Sequence, residues 1–156
     1  MERATPWSGY LTRPQNLPAG LHWHGFLWKG NGNLLYSYKN QAERTEKNRP
    51  EFMASSLPAE MVGENLLRPR TVVGTWTDSA EAAAWMRQQW DENTPTETHV
   101  DPDDRQDYAA VTLSHGEDDI WRWWMPKPPG PSMVNVMVVS CPHKHRPDIV
   151  CPVPPK

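Results

Sequence analysis

Polar and apolar positions alternate through LHWH and give way to the apolar FLW in the run LHWHGFLWK, before the turn residues GNGN and the second run LLYSYK. Side chains on a strand point to alternate faces. Trp23 and Leu27 therefore share one face, and His22, His24, Phe26 and Trp28 share the other. Asn31-Gly32 between two such runs predicts a β-hairpin over residues 21–39 with a type I′ turn. In that register Tyr36 and Tyr38 join the Trp23 face and Leu35 joins the histidine face. Aromatic residues on both faces predict a hairpin covered on both sides.

Further along, the pattern changes period. NQAERTEKNRP is polar, and EFMASSLPAEMVGENLL predicts short helical turns interrupted at Pro58. RTVVGTW reads as a strand. Residues 78–90 read as a helix: Asp78 is a good N-cap, Glu81 three positions on completes a capping box, and the filling is rich in alanine. Ala82, Trp85, Met86 and Gln89 recur at helical spacing. DENTPTETHVDPDDRQD reads as an acidic loop. YAAVTLS and DIWRWWM around HGED read as a second hairpin turning at Gly116. PKPPGP is a rigid connection. SMVNVMVVSC is the most apolar strand and the expected sheet centre, with Val134, Val136, Val138 and Val139 in the core.

The fold expectation is α+β: a mainly antiparallel sheet of about five to six strands built from hairpins, with one principal helix packed on a face. The 156 residues suit a single domain spanning 1–156, with an extended arm over 1–19 and a proline-rich tail over 146–156.

Composition sharpens this picture in two places. The formal net charge of −3 gives no basic field for nucleic acid. No apolar run approaches the roughly 18 residues of a membrane span, and the N-terminus has no apolar signal region. The expectation is a soluble, cytoplasmic protein. The nine tryptophans against two phenylalanines carry two readings. One is a composition bias shared with proline and arginine. The other is a site lined by indoles, which combine large apolar area with one N–H handle. On the second reading Trp28, Trp121, Arg122, Trp123 and Trp124 contact a small apolar or aromatic ligand or a protein partner.

Histidine and cysteine carry the remaining chemistry. His22 and His24 point the same way from one strand, which suits either hydrogen-bonded residues of an aromatic face or ligands of zinc, copper or iron. The tetrapeptide HWHG resembles a copper-ligand motif of multicopper oxidases, and with the upstream PAG it loosely resembles the His-x-His of cupins. Neither resemblance extends further. The oxidases' additional His-x-His pairs and His-Cys-His segment are missing, and Lys29 stands near the position of the cupin glutamate. Near the C-terminus, CPHKHRPDIVC holds Cys141, His143, His145 and Cys151, four residues of zinc-ligand type at a spacing unlike the usual separated pairs. A site joining His22 and His24 to one of these requires the last strand to lie beside the first. His99-x-Asp101 with His143 or His145 resembles the two-His-one-carboxylate triad of iron oxygenases. No nucleophile elbow or phosphate-binding loop is present.

Two functions follow. The first is a binding or interaction protein that presents a tryptophan-lined pocket or surface. The second is a small metal-dependent or acid–base enzyme using His22 and His24.

Overall fold

The computed structural model describes residues 17–95, 98–125 and 132–154. The connection PKPPGP and most of the expected N-terminal arm lie outside the described residues. Within them stands one antiparallel sheet of four strands: β1 (His22–Asn31), β2 (Val72–Trp76), β3 (Asp119–Met125) and β4 (Ser132–Cys141), in the order β2-β1-β4-β3. The α+β class and the antiparallel pairing match expectation, and the strand number is lower than the five to six expected.

The strand that falls away is the return arm of the first hairpin. Gly32 has a right-handed φ of −61°, and the chain turns there into a short helix, α1 (Asn33–Tyr36). The Asn31 side chain accepts a hydrogen bond from the Asn33 amide at 3.0 Å, which closes a local turn in place of a type I′ hairpin. Leu35 is thereby buried against Trp28, Leu57 and Met133. β1 then pairs along its whole length with β4, from His22 opposite Cys141 to Asn31 opposite Ser132. A run apolar on both faces suits such an inner strand. β4 is the other inner strand, and Val134, Val136, Val138 and Val139 are buried as expected.

Two helices, where one was expected, cover one face of the sheet. The first, α4 (Ser79–Glu92), starts where the sequence places it, with the Asp78 carboxylate accepting from the Ala80 amide at 2.9 Å. Between it and β1 on the chain lie α2 (Gln41–Thr45) and α3 (Pro50–Ala54). The unexpected helix is α5 (Pro102–Ser114), which replaces both the acidic loop and the strand YAAVTLS. Its start was written in the sequence: Asp101 caps the Asp103 amide, Pro102 takes the first turn, and Asp103 and Asp104 favour the positive end of the helix dipole. It stops at Gly116, whose φ of +80° suits the residue just past a helix end. Trp23, Trp121, Trp123, Val134, Val136 and Val138 meet Ala82, Ala83, Met86 and Trp90 of α4 and Ala109 and Leu113 of α5 in the main core.

The opposite face is covered by short helical turns, α2 and α3 among them, joined by irregular chain, and their unpaired carbonyls need other partners. Two buried arginines supply them. The Arg68 guanidinium donates to the carbonyls of Phe52, Leu57 and Glu43 and lies 4.0 Å over the Phe52 ring. Arg44 donates to the carbonyls of Pro58 and Leu35. Burial pulls the Arg68 pKa down to about 10, which still leaves it charged at neutral pH. Phe26, Leu66, Met137, Val139 and Cys141 fill the space beneath, and Ile149 folds back onto them from the tail. No helix among the described residues is long and apolar enough to cross a membrane.

Candidate metal centre

The β1–β4 register builds half of the site. His22 and Cys141 are directly opposed, and His24 lies two positions on, so all three side chains share the face away from α4 and α5. The fourth member, Cys151, arrives from the tail, ten positions beyond Cys141. One donor atom from each of His22, His24, Cys141 and Cys151 lies within 4.8 Å of the others. The first three residues are buried and Cys151 is half-buried.

The two imidazoles are oriented from behind. Nδ1 of His22 lies 2.7 Å from the Gly20 carbonyl oxygen. A carbonyl only accepts, so Nδ1 carries the proton and the Nε2 lone pair faces inward. That Nε2 is 3.1 Å from the Cys151 sulfur. On His24, Nδ1 lies 2.9 Å from the Thr75 hydroxyl, which can donate or accept, and Nε2 lies 3.4 Å from the same sulfur. The rings stand edge to face, with centroids 4.8 Å apart. Metal-ligating histidines characteristically use one ring nitrogen for the ion and give the other to a carbonyl or hydroxyl.

Electrostatics suit a cation at the centre. Burial, with His22 alongside, lowers the His24 pKa to about 4, so its ring is neutral and free to ligate at neutral pH. Burial and the neighbouring Cys151 push the Cys141 thiol up to about 12. Without a positive charge nearby that thiol keeps its proton. A divalent ion would reverse this preference, because it stabilises thiolate directly. The spacing also fits. Zinc with bonds of about 2.0–2.1 Å to nitrogen and about 2.3 Å to sulfur separates tetrahedral ligands by roughly 3.3–3.8 Å. The two nitrogen–sulfur distances, 3.1 and 3.4 Å, lie near the short end of that range, and the full set, within 4.8 Å, must draw together by up to about 1 Å to close on an ion.

The other candidates lie elsewhere. His143 Nε2 is 2.6 Å from Asp118 Oδ2, and its Nδ1 accepts the His145 amide, so neither nitrogen faces the cluster. His145 reaches Glu117 at 3.2 Å. These contacts, with Arg146 on Glu64 at 3.2 Å, anchor the segment that delivers Cys151. Asp101 is occupied as the α5 cap and His99 is exposed. Of CPHKHRPDIVC, then, only the two outer cysteines join His22 and His24.

The five residues expected to contact a ligand do not gather round one cavity. Trp121 and Trp123 are buried on the helix-covered face, their indole N–H groups donating to Asp119 and to the Asn93 carbonyl at 3.0 and 2.8 Å. Trp28 is buried on the other face with Leu35 and Leu57. Arg122 donates to the Asn135 side chain at 2.7 Å. Trp124 is 46% exposed and lies over Gly32. Sequence reasoning named all four cluster residues and joined the two histidines to one of the C-terminal ligands on condition that the last strand lie beside the first, as it does; it did not single out both cysteines, nor Thr75 and Gly20 behind the histidines. The β1–β2 pairing of His24 with Thr75 has no local sequence signal. No protein-family model matches the chain, and comparison with curated proteins and with solved structures gives no match.

Proposed function

We infer that the protein is a zinc-binding domain, with His22, His24, Cys141 and Cys151 as the four ligands. One observation carries this reading. Two imidazole nitrogens and two cysteine sulfurs gather within 4.8 Å of one another, with both nitrogens against the Cys151 sulfur at 3.1 and 3.4 Å. A zinc ion among the four atoms satisfies all of them together. Two nitrogens and two sulfurs are a donor set zinc favours over harder cations. Four protein ligands complete the tetrahedron and leave no open position for water or substrate. The ion therefore serves to fix the tail to the sheet, and the enzyme reading of His22 and His24 is the weaker one.

The test is elemental analysis of protein purified without added chelator and after zinc reconstitution. The expected result is about one zinc per chain, lost in His22→Ala and His24→Ala and kept in His143→Ala and His145→Ala. Chelation should lower the melting temperature. Zinc present at roughly a thousand times its dissociation constant adds about 4 kcal/mol, or on the order of 8–16 °C for a chain of this size. Zinc no higher in the wild type than in His24→Ala refutes the reading.

A second reading keeps the aromatic binding surface, now centred on Trp124. Its ring is exposed above Gly32, and Leu34 and Tyr36 just beyond that glycine are exposed too. Loss of binding to a captured partner in Trp124→Ala, with folding intact, is its test.

A further inference from the structure

We propose that the same centre is a thiol switch, in which a hydroperoxide joins Cys141 to Cys151 as a disulfide and releases the zinc. The proposal rests on the zinc reading above.

The two sulfurs belong to one compact cluster, and they are the only two cysteines of the chain. No other thiol competes for either partner. They differ in the way a reacting and a resolving cysteine must differ. Cys141 is 1% exposed and fixed at the end of β4 opposite His22. Cys151 lies in irregular chain beside the exposed Val150. It also forms part of the wall of an open groove of about 600 Å³, with Lys47, Leu66, Arg146 and Ile149. A small oxidant entering the groove meets Cys151 first. The irregular backbone around Cys151 can also supply the movement that brings the sulfurs to bonding distance.

Zinc holds both sulfurs as thiolates, the form that attacks peroxide. The Cys151 thiolate attacks one peroxide oxygen, the O–O bond breaks, and a sulfenic acid forms as the departing oxygen leaves as water. The Cys141 thiolate then attacks the Cys151 sulfur and expels its hydroxyl as a second water. Two thiolates, one hydrogen peroxide and two protons become one disulfide and two waters. Sulfur loses two electrons and the peroxide oxygens gain them. The zinc, left with two neutral imidazoles, departs as the divalent ion. The tail stays in place because the new disulfide replaces the ion as the tether from Cys151 to β4, and the His143–Asp118 and Arg146–Glu64 contacts and the buried Ile149 do not involve the metal. Oxidation therefore empties the centre without unfolding the sheet, and a dithiol reductant with zinc restores it.

The experiment uses the full chain, with its zinc content measured first. Hydrogen peroxide is then titrated while a chromogenic chelator reports free zinc. Intact mass and non-reducing peptide mapping follow sulfur. The expected result is release of about one zinc per chain, a mass lower by about 2 Da, and a peptide pair linked through Cys141 and Cys151. Far-UV circular dichroism should hold steady, and dithiothreitol with zinc should reverse the change. Cys151→Ser should yield no intramolecular link, and if that variant does not fold, the wild-type peptide map decides alone. Zinc bound at one per chain that peroxide leaves in place overturns the switch and spares the zinc reading. So does release that brings only sulfinic acids, links between chains or loss of structure. A chain without zinc before peroxide is added fails the zinc reading itself, and the switch falls with it.

Discussion

Trp123 and Trp124 are neighbours on β3, yet the structure assigns them opposite weights. Trp123 is 7% exposed, its ring is 5.0 Å from that of Trp90, and its indole N–H donates to the Asn93 carbonyl at 2.8 Å. Truncating it to alanine removes a large buried side chain at the seam between sheet and α4. Such substitutions cost about 3–5 kcal/mol, a figure that includes the lost ring contact. The Asn93 carbonyl lies at the end of α4 in a half-buried residue, and the lost hydrogen bond adds about 1 kcal/mol. Against a total of about 5–15 kcal/mol, a loss of roughly 4–6 kcal/mol leaves the protein marginal. The melting temperature should fall by on the order of 8–24 °C. Trp124 is half out of the sheet, and Trp124→Ala should cost no more than about 1 kcal/mol. Urea unfolding followed by far-UV circular dichroism measures both, provided the slope m stays constant between variants. A cost below 1 kcal/mol for Trp123→Ala, or equal costs for the two, would refute the division of these indoles into core and surface.

Val136→Ala should cost about 2–3 kcal/mol in the same assay: two methyl groups of transfer plus the cavity left beside Leu27 and Trp121, its cross-strand neighbours. A loss under 0.5 kcal/mol would mean that β4 is not the sheet centre. Gly32→Ala should cost about 1 kcal/mol through crowding, because a Cβ there would press into the Trp124 ring while the backbone itself suits alanine. The double variant with Trp124→Ala should recover most of that loss, and additive costs would point to backbone strain instead.

The sequence by itself determined what neighbours along the chain can settle. The Asp78 cap and the alanine run place α4, the apolar run SMVNVMVVSC places an inner strand, and alternation puts His22, His24, Phe26 and Trp28 on one face of β1. The start of α5 was equally local, in Asp101, Pro102, Asp103 and Asp104, but acidic character and the β-branched Val111 and Thr112 concealed it. Asn31-Gly32 shows where local chemistry lost. Its turn preference is worth little beside burying Leu35 and pairing all of β1 with β4, a strand more than a hundred positions away. Tertiary structure alone decided that pairing, and with it the site. Only there does Cys141 stand opposite His22, Thr75 stand behind His24, and the anchored tail bring Cys151 back between them. Which strand pairs with which depends on the summed burial of whole faces, and no local window of the sequence contains that sum.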